Sequence, residues 1–219
     1  MKNNQIQSFY DDNLQESSEH LANTLLINLR KKISSIVENN LKQKIFIALS
    51  GGNSPKIFFN ILAQNITQQE WNYIEIFQVD ERCVSKSDYD LTNRKLITEN
   101  LINHTDYHIN CHFIELLNSK NTQTVIAVKY QSLIENLFQT YYKNHFDFII
   151  LGMGNDGHTA SIFPNSELAK NETKKLVSET EAPTTIEPHV PRISLTFKAI
   201  NEAENIYVLL NGADRKSVV

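Results

Sequence analysis

His158 and Asp156 stand two residues apart, in a segment with glycines at 152, 154 and 157. Histidine is the side chain best matched to proton transfer near neutral pH, and a nearby carboxylate can fix its tautomer. Glycine permits positive φ and close approach of backbone to a ligand. The constellation therefore suits general acid–base work on a ligand held against backbone amides. Two bland readings stand beside it: a loop histidine is more often structural, and Asn-Asp-Gly is turn chemistry in its own right. The setting favours the functional reading for His158. An apolar run, Phe146–Leu151, leads straight into the glycine turn and has the length of a buried strand. Enzymes built on parallel sheets present their chemistry at the carboxyl ends of such strands.

Two further strand ends carry suitable residues. The run 44–50 passes into Ser50-Gly51-Gly52-Asn53-Ser54-Pro55 and then into a predicted helix over 56–66. Open N–H groups at a helix N-terminus, with hydroxyl and amide side chains, suit an anion such as phosphate. The alternative is a tight connection capped by Ser54. The spacing is neither that of a P-loop nor that of a GxSxG elbow, so neither Ser50 nor Ser54 is read as a nucleophile. The run 73–84 ends in Asp80-Glu81-Arg82, three charges that are either solvated loop residues or ligand contacts. Gly152-x-Gly154-x-x-Gly157 matches the dinucleotide fingerprint in letters only. It lies late in the chain, and no second strand ending in an acid follows about 20 residues on, so no nicotinamide or flavin site is expected.

The elements that position these residues alternate. Leu14, Leu21, Leu25, Leu29, Ile33 and Ile36 recur with a helical period and predict an amphipathic helix over 13–38. Further helices are predicted over 93–103 and 123–142, and strands over 109–116, within 176–183, over 192–197 and over 204–212. Pro183, Pro188 and Pro191 mark a loop. Residues 213–219 read as the start of a helix, which gives an expectation of truncation at the C-terminus. The alternation predicts an α/β fold, a mostly parallel sheet flanked by helices, in a single domain over 1–219.

Composition narrows the partners. A formal net charge of −4 gives no broad basic surface, so nucleic acid is not expected. No run reaches the ~18 apolar residues of a membrane span, and the first 20 residues lack a signal-peptide core. Cys83 and Cys111 make no disulfide framework, which fits a reducing cytoplasm. His104, His108 and His112 are not at a metal-binding spacing, so no metal is expected.

Four segments together resemble the 6-phosphogluconolactonases of the sugar-phosphate isomerase/deaminase superfamily. They are SGGNSP (50–55); VDERCV (79–84) with Thr92-Asn93; LGMGNDGHTASIFP (151–164); and PRISLT (191–196) with NGADRK (211–216). The amino-sugar deaminases of that superfamily have DEY where this chain has DER. The resemblance implies an α/β fold of Rossmann-like topology and hydrolysis of 6-phosphoglucono-δ-lactone to 6-phosphogluconate, the second step of the oxidative pentose phosphate pathway, without metal or cofactor. Carried over by position, Ser50, Gly51, Gly52 and Asn53, Arg192, and Arg215 or Lys216 hold the phosphate, and His158 is catalytic. The hydrolysis so implied is expected to have Asp156 orient His158, backbone amides around Gly154 face the oxyanion, Asp80 meet sugar hydroxyls and Arg82 contact substrate. The implied partner is a small sugar phosphate, with the protein a monomer or small homo-oligomer. An amino-sugar-phosphate isomerase/deaminase and a non-catalytic sugar-phosphate-binding regulator are the alternatives.

Overall fold

The computed structural model describes residues 5–9, 13–52 and 54–210. Six parallel strands form the central sheet: β1 (Gln5–Phe9), β2 (Ile45–Leu49), β3 (Ile74–Gln78), β5 (Asn110–His112), β6 (Phe148–Leu151) and β9 (Asn205–Leu209), in the order β1-β9-β6-β2-β3-β5. Strands β2, β3 and β6 are buried along their whole length. That is why β2 and β6 read as continuous apolar runs rather than alternating ones, while β3 buries the polar Glu75 and Gln78 among its apolar residues.

Helices cover both faces. On one face, α1 (Leu14–Glu38) lays Leu21, Leu25 and Leu29 into a core with Ile45, Ile47 and Leu49 of β2. Its N-terminus is capped by Asn13, whose side chain accepts from the Glu16 N–H. Phe58, Phe59 and Leu62 of α2 (Lys56–Asn65) and Trp71 of α3 (Gln68–Trp71) join that core. On the other face, α5 (Gln123–Thr140) sets Ile126, Tyr130, Ile134 and Phe138 against Phe46, Phe77 and Ile149. There Phe46, Phe77, Phe138 and Phe146 make a cluster with ring centroids 5.1–5.5 Å apart.

Beyond the carboxyl ends of β2 and β3 stands a second, antiparallel sheet of β4 (Asp80–Arg82), β8 (Arg192–Leu195) and β7 (Val177–Thr180), in the order β4-β8-β7. The remaining helices are short: α4 (Asn93–Asn100), α6 (Glu167–Lys170) and α7 (Phe197–Asn201).

The parallel sheet with flanking helices is the expected one, and the structure corrects it in three places. The expected strand over 73–84 is two strands in two sheets; the chain leaves the parallel sheet at Val79, whose N–H still bonds to Leu49 O while its carbonyl accepts from Leu195 N. The strand expected over 109–116 pairs only over Asn110–His112. Strand β1, not anticipated, pairs residue for residue with β9. Helix α2 has Pro55 at its N-cap position with no side-chain cap, against the alternative reading of a connection capped by Ser54. The helix expected over 213–219 lies outside the described residues. Among the described residues, no helix is long and apolar enough to cross a membrane.

Candidate active site

Strand order fixes where a cleft must open. From β2 the chain builds outward through β3 and β5, then returns to the other flank of β2 with β6. The loops after β2 and β6 therefore diverge at the carboxyl edge, the usual ligand crevice of an open α/β sheet. They remain stitched at their roots, where Ser50 N–H donates to Ile150 O at 3.0 Å. Above them lies a cleft of about 250 Å³, lined by Ser50, Gly51, Gly52, Ser54, Asp80, Arg82, Asn93, Gly152, Met153, Gly154 and His158 among others.

The loop after β6 is built around His158. Gly154 N–H donates to His158 O at 2.8 Å, Gly157 N–H to Gly154 O at 3.1 Å, and Thr159 Oγ1 to Gly152 O at 3.0 Å. Gly157 has φ of 85°, in the left-handed region that glycine adopts without strain. The His158 ring packs 4.8 Å from that of Phe163. Its Nδ1 meets Asp156 Oδ1 at 2.5 Å, and its backbone N–H donates to the same oxygen at 3.3 Å. A Cβ on Gly154 would lie 2.3 Å from His158 Nδ1 and 2.7 Å from Asp156 Oδ1, so only glycine leaves room for the pair. Burial alone would raise the Asp156 carboxyl; the hydrogen bonds from His158 and its charge outweigh that and hold it below the usual carboxylate range. An ionised Asp156 accepts a hydrogen bond from Nδ1–H, which leaves Nε2 as the basic nitrogen of the neutral ring.

Strand alternation sorts the charged triplet. Successive side chains of β4 point to opposite faces, so Asp80 and Arg82 line the cleft while Glu81 is turned inward and fully buried. Glu81 accepts from Gln78 Nε2 at 2.6 Å and from the N–H groups of Arg82, Asn93 and Arg94, each at 2.7 Å. Burial pushes its carboxyl up, and the four donors pull the other way without cancelling it. The last two of those backbone N–H groups open α4, so Glu81 clamps that helix to β4 and carries Asn93 into the cleft wall, where Asn93 Nδ2 donates to Asp80 O at 3.0 Å.

Arg192 pairs in register with Arg82 across β4 and β8. It is 3 % exposed and does not line the cleft. Its Nη2 donates to Pro188 O at 2.8 Å, and its Nη1 is buried without a partner among the described residues. Burial, then the Arg82 charge, brings its pKa down to about 10, still well above neutrality. The expected contact between Arg192 and a ligand in the cleft is thus not made by an exposed guanidinium. Of the other residues singled out from the sequence, Ser50, Gly51, Gly52, Asp80, Arg82, Gly154 and His158 all reach the cleft, with Asp156 immediately behind. Asn53, Arg215 and Lys216 lie outside the described residues.

Two contributors were not given roles from the sequence. Asn93 stood only in a motif. Ser161, buried three residues after His158, donates Oγ–H to Asp80 Oδ2 at 2.7 Å. The Thr-Ala-Ser run after the histidine was the available signal, but nothing in it shows that Ser161 reaches β4.

Neither cysteine has site chemistry. Burial and then neighbouring carboxylates push Cys83 up to about 11. Burial, helped by Glu75, takes Cys111 to about 12. Among the described residues, no cluster of histidine, cysteine or carboxylate side chains is grouped to hold a metal.

Known proteins share this fold. The chain is 32 % identical over 188 residues to a 6-phosphogluconolactonase of Thermotoga maritima, covering 85 % of this chain and 77 % of that protein. It is 33 % identical over 180 residues to a GDH/6PGL endoplasmic bifunctional protein of Oryctolagus cuniculus, covering 78 % of this chain but only 21 % of that longer protein. The fold superposes on a crystal structure of a 6-phosphogluconolactonase from Shewanella baltica with a TM-score of 0.79 and 30 % identity, over 99 % of this chain and 85 % of the other. The family described as glucosamine-6-phosphate isomerases/6-phosphogluconolactonase matches residues 16–219, and the chain belongs to that family.

Proposed function

We propose that this protein hydrolyses 6-phosphoglucono-δ-lactone to 6-phosphogluconate, with His158 as the proton-transfer group. The observation that carries this reading is the Asp156–His158 pair, placed at the strand-end cleft with Nδ1 engaged and Nε2 without a partner among the described residues.

A δ-lactone is an activated ester, so water suffices as nucleophile. His158 Nε2 takes a proton from water as its oxygen bonds to the C1 carbonyl carbon. The carbonyl oxygen becomes an oxyanion, which backbone N–H groups of the glycine turn stabilise. Collapse of this intermediate breaks the bond from C1 to the ring oxygen, and the proton on Nε2 passes to that leaving oxygen. Asp156 steadies the imidazolium between the two transfers. General acid–base help of this kind contributes about 10²–10⁴-fold. Every step is a proton transfer or an acyl C–O bond change that His158 and water complete between them.

The Ser50-Gly51-Gly52 loop and the uncapped N-terminus of α2 hold the phosphate. Arg82 lends charge from the cleft wall, and Arg192 does so from behind it. Asn53 and either Arg215 or Lys216 extend this phosphate set. The substrate is a small sugar phosphate, met in the cytoplasm by a monomer or small homo-oligomer that binds no nucleic acid.

The test is hydrolysis of freshly made 6-phosphogluconolactone, coupled to a dehydrogenase that oxidises 6-phosphogluconate, against the spontaneous no-enzyme rate. Wild type should exceed the background strongly and His158→Ala should approach it. A wild-type rate equal to background would overturn the reading in favour of a non-catalytic binder.

A further inference from the structure

Asp80 is the cleft carboxylate that the proton transfers above do not use. Its two oxygens are not equivalent. Oδ2 accepts the Ser161 hydroxyl at 2.7 Å, and this contact is buried. Oδ1 has no protein partner among the described residues, and Asp80 lines the cleft. Ser161 is itself pinned, because its backbone N–H donates to Ser194 Oγ at 3.2 Å, and Ser194 faces Asp80 in the β4–β8 register. The Asp80 carbonyl is held separately by Asn93 Nδ2. The carboxylate is therefore fixed at both ends, with one acceptor oxygen left for a ligand.

We infer that the Ser161–Asp80 pair reads the C2 hydroxyl of the lactone. This rests on the hydrolase reading above. An ionised carboxylate only accepts hydrogen bonds, and a sugar hydroxyl is the donor that a phosphorylated lactone ring offers. Asp80 and His158 line the same cleft, and Ser161, three residues after His158, links the two. The hydroxyl nearest the attacked C1 is the one on C2. Ser161 is a positioning residue. It contacts no substrate but occupies Oδ2 and so sets the rotation of the carboxylate, leaving Oδ1 toward the ring. The pair also ties the histidine loop to β4, so a ring that engages Asp80 is held in register with Nε2. Without the C2 hydroxyl, the buried acceptor loses its partner, which costs most where water is displaced.

The test compares kcat/KM for 6-phosphogluconolactone and its 2-deoxy analogue on wild type, Asp80→Ala and Ser161→Ala, each corrected for spontaneous hydrolysis. A hydrogen bond to a charged group predicts that wild type prefers the natural lactone by about 10–100-fold. The preference should fall close to unity in Asp80→Ala and several-fold in Ser161→Ala, mainly by loss of rate on the natural substrate. Each readout is a ratio of two substrates on one sample, so partial unfolding of a variant cancels. Equal wild-type rates on the two lactones, or an undiminished preference in Asp80→Ala, would overturn the inference while leaving the hydrolase reading intact. An undiminished preference in Ser161→Ala would remove Ser161 from it. Wild-type rates at background on both substrates would overturn the hydrolase reading and this inference together.

Discussion

Asn93 occupies the space that a side chain on Gly51 would need. A Cβ built on Gly51 would fall 1.9 Å from Asn93 Oδ1 and 2.2 Å from its Cγ. The β2 loop and the start of α4, more than forty residues apart in sequence, thus close on one another without a gap. The contact forms one wall of the cleft, and Asn93 in turn holds the carbonyl of Asp80. Gly51→Ala should displace Asn93 and weaken substrate binding, with a stability cost of about 1–3 kcal/mol from overpacking. Urea denaturation and KM measured on one preparation check this. Unchanged values for both would mean that the wall yields at no cost.

Gly154 makes the corresponding demand on the other side. Its Cβ would collide with the ring atoms of His158 and with Asp156. Gly154→Ala should lower kcat far more than it lowers stability, because the pair can swing outward only by giving up its geometry. Full kcat in this variant would show that His158 tolerates displacement.

Asp156 gives a pH signature with a definite sign. Its carboxyl lies below the usual range in the folded state. A lowered folded-state pKa contributes stability that is fully present above the ordinary aspartate value of about 3.9. That stability is lost as pH falls through the folded value. The stability gap between wild type and Asp156→Asn should therefore be constant at neutral pH and close as the solution is acidified below about 4. The side chain is a third exposed, so the gap is small. Thermal melts across that range measure it, and a gap that persists unchanged into strong acid would rule out a charge-based pairing.

At the opposite edge of the sheet, Asp147 separates stability from catalysis. It is buried and accepts from Phe46 N–H at 2.8 Å and from Lys143 at 2.6 Å, with Lys32 at 3.1 Å. Asp147→Ala strands Lys143 and a backbone donor, while Lys32 keeps its ion pair with Glu204 at 2.7 Å. It should cost about 3 kcal/mol, the low end of the range for a broken buried pair, because both lysines keep some water. Denaturation should register this loss while kcat of the folded fraction stays at the wild-type value. A fall in kcat would reveal coupling across the sheet.

The cysteines make a negative prediction. With thiols at about 11 and 12, almost no thiolate exists near neutrality, and the thiolate is the reactive form. Iodoacetamide should leave native mass and activity unchanged. Rapid alkylation with loss of rate would contradict the buried setting of Cys83.

Local pattern and long-range pairing contributed different parts of this architecture. The sequence by itself determined the apolar runs of β2 and β6, the helical periods of α1 and α5, and the glycine turns at strand ends. Each follows from a property of consecutive residues: burial on both faces, an amphipathic stripe, or freedom of φ. The candidate acid–base pair was legible for the same reason, since Asp156 and His158 are neighbours in one turn. Tertiary structure alone decided which strands pair and which faces meet. QIQSF (5–9) carries no continuous apolar signature, and its strand exists through backbone pairing with β9. Nothing local marks the departure at Val79, because a strand that changes sheets keeps its extended backbone and exchanges only its hydrogen-bond partners. That exchange turns Asp80 and Arg82 to the cleft and Glu81 to the interior. Burial of Arg192, the closure of Asn93 on Gly51, and the bond from Ser161 to Asp80 are contacts between residues more than forty positions apart or across strands. Such contacts are set by packing geometry, which no window of sequence contains.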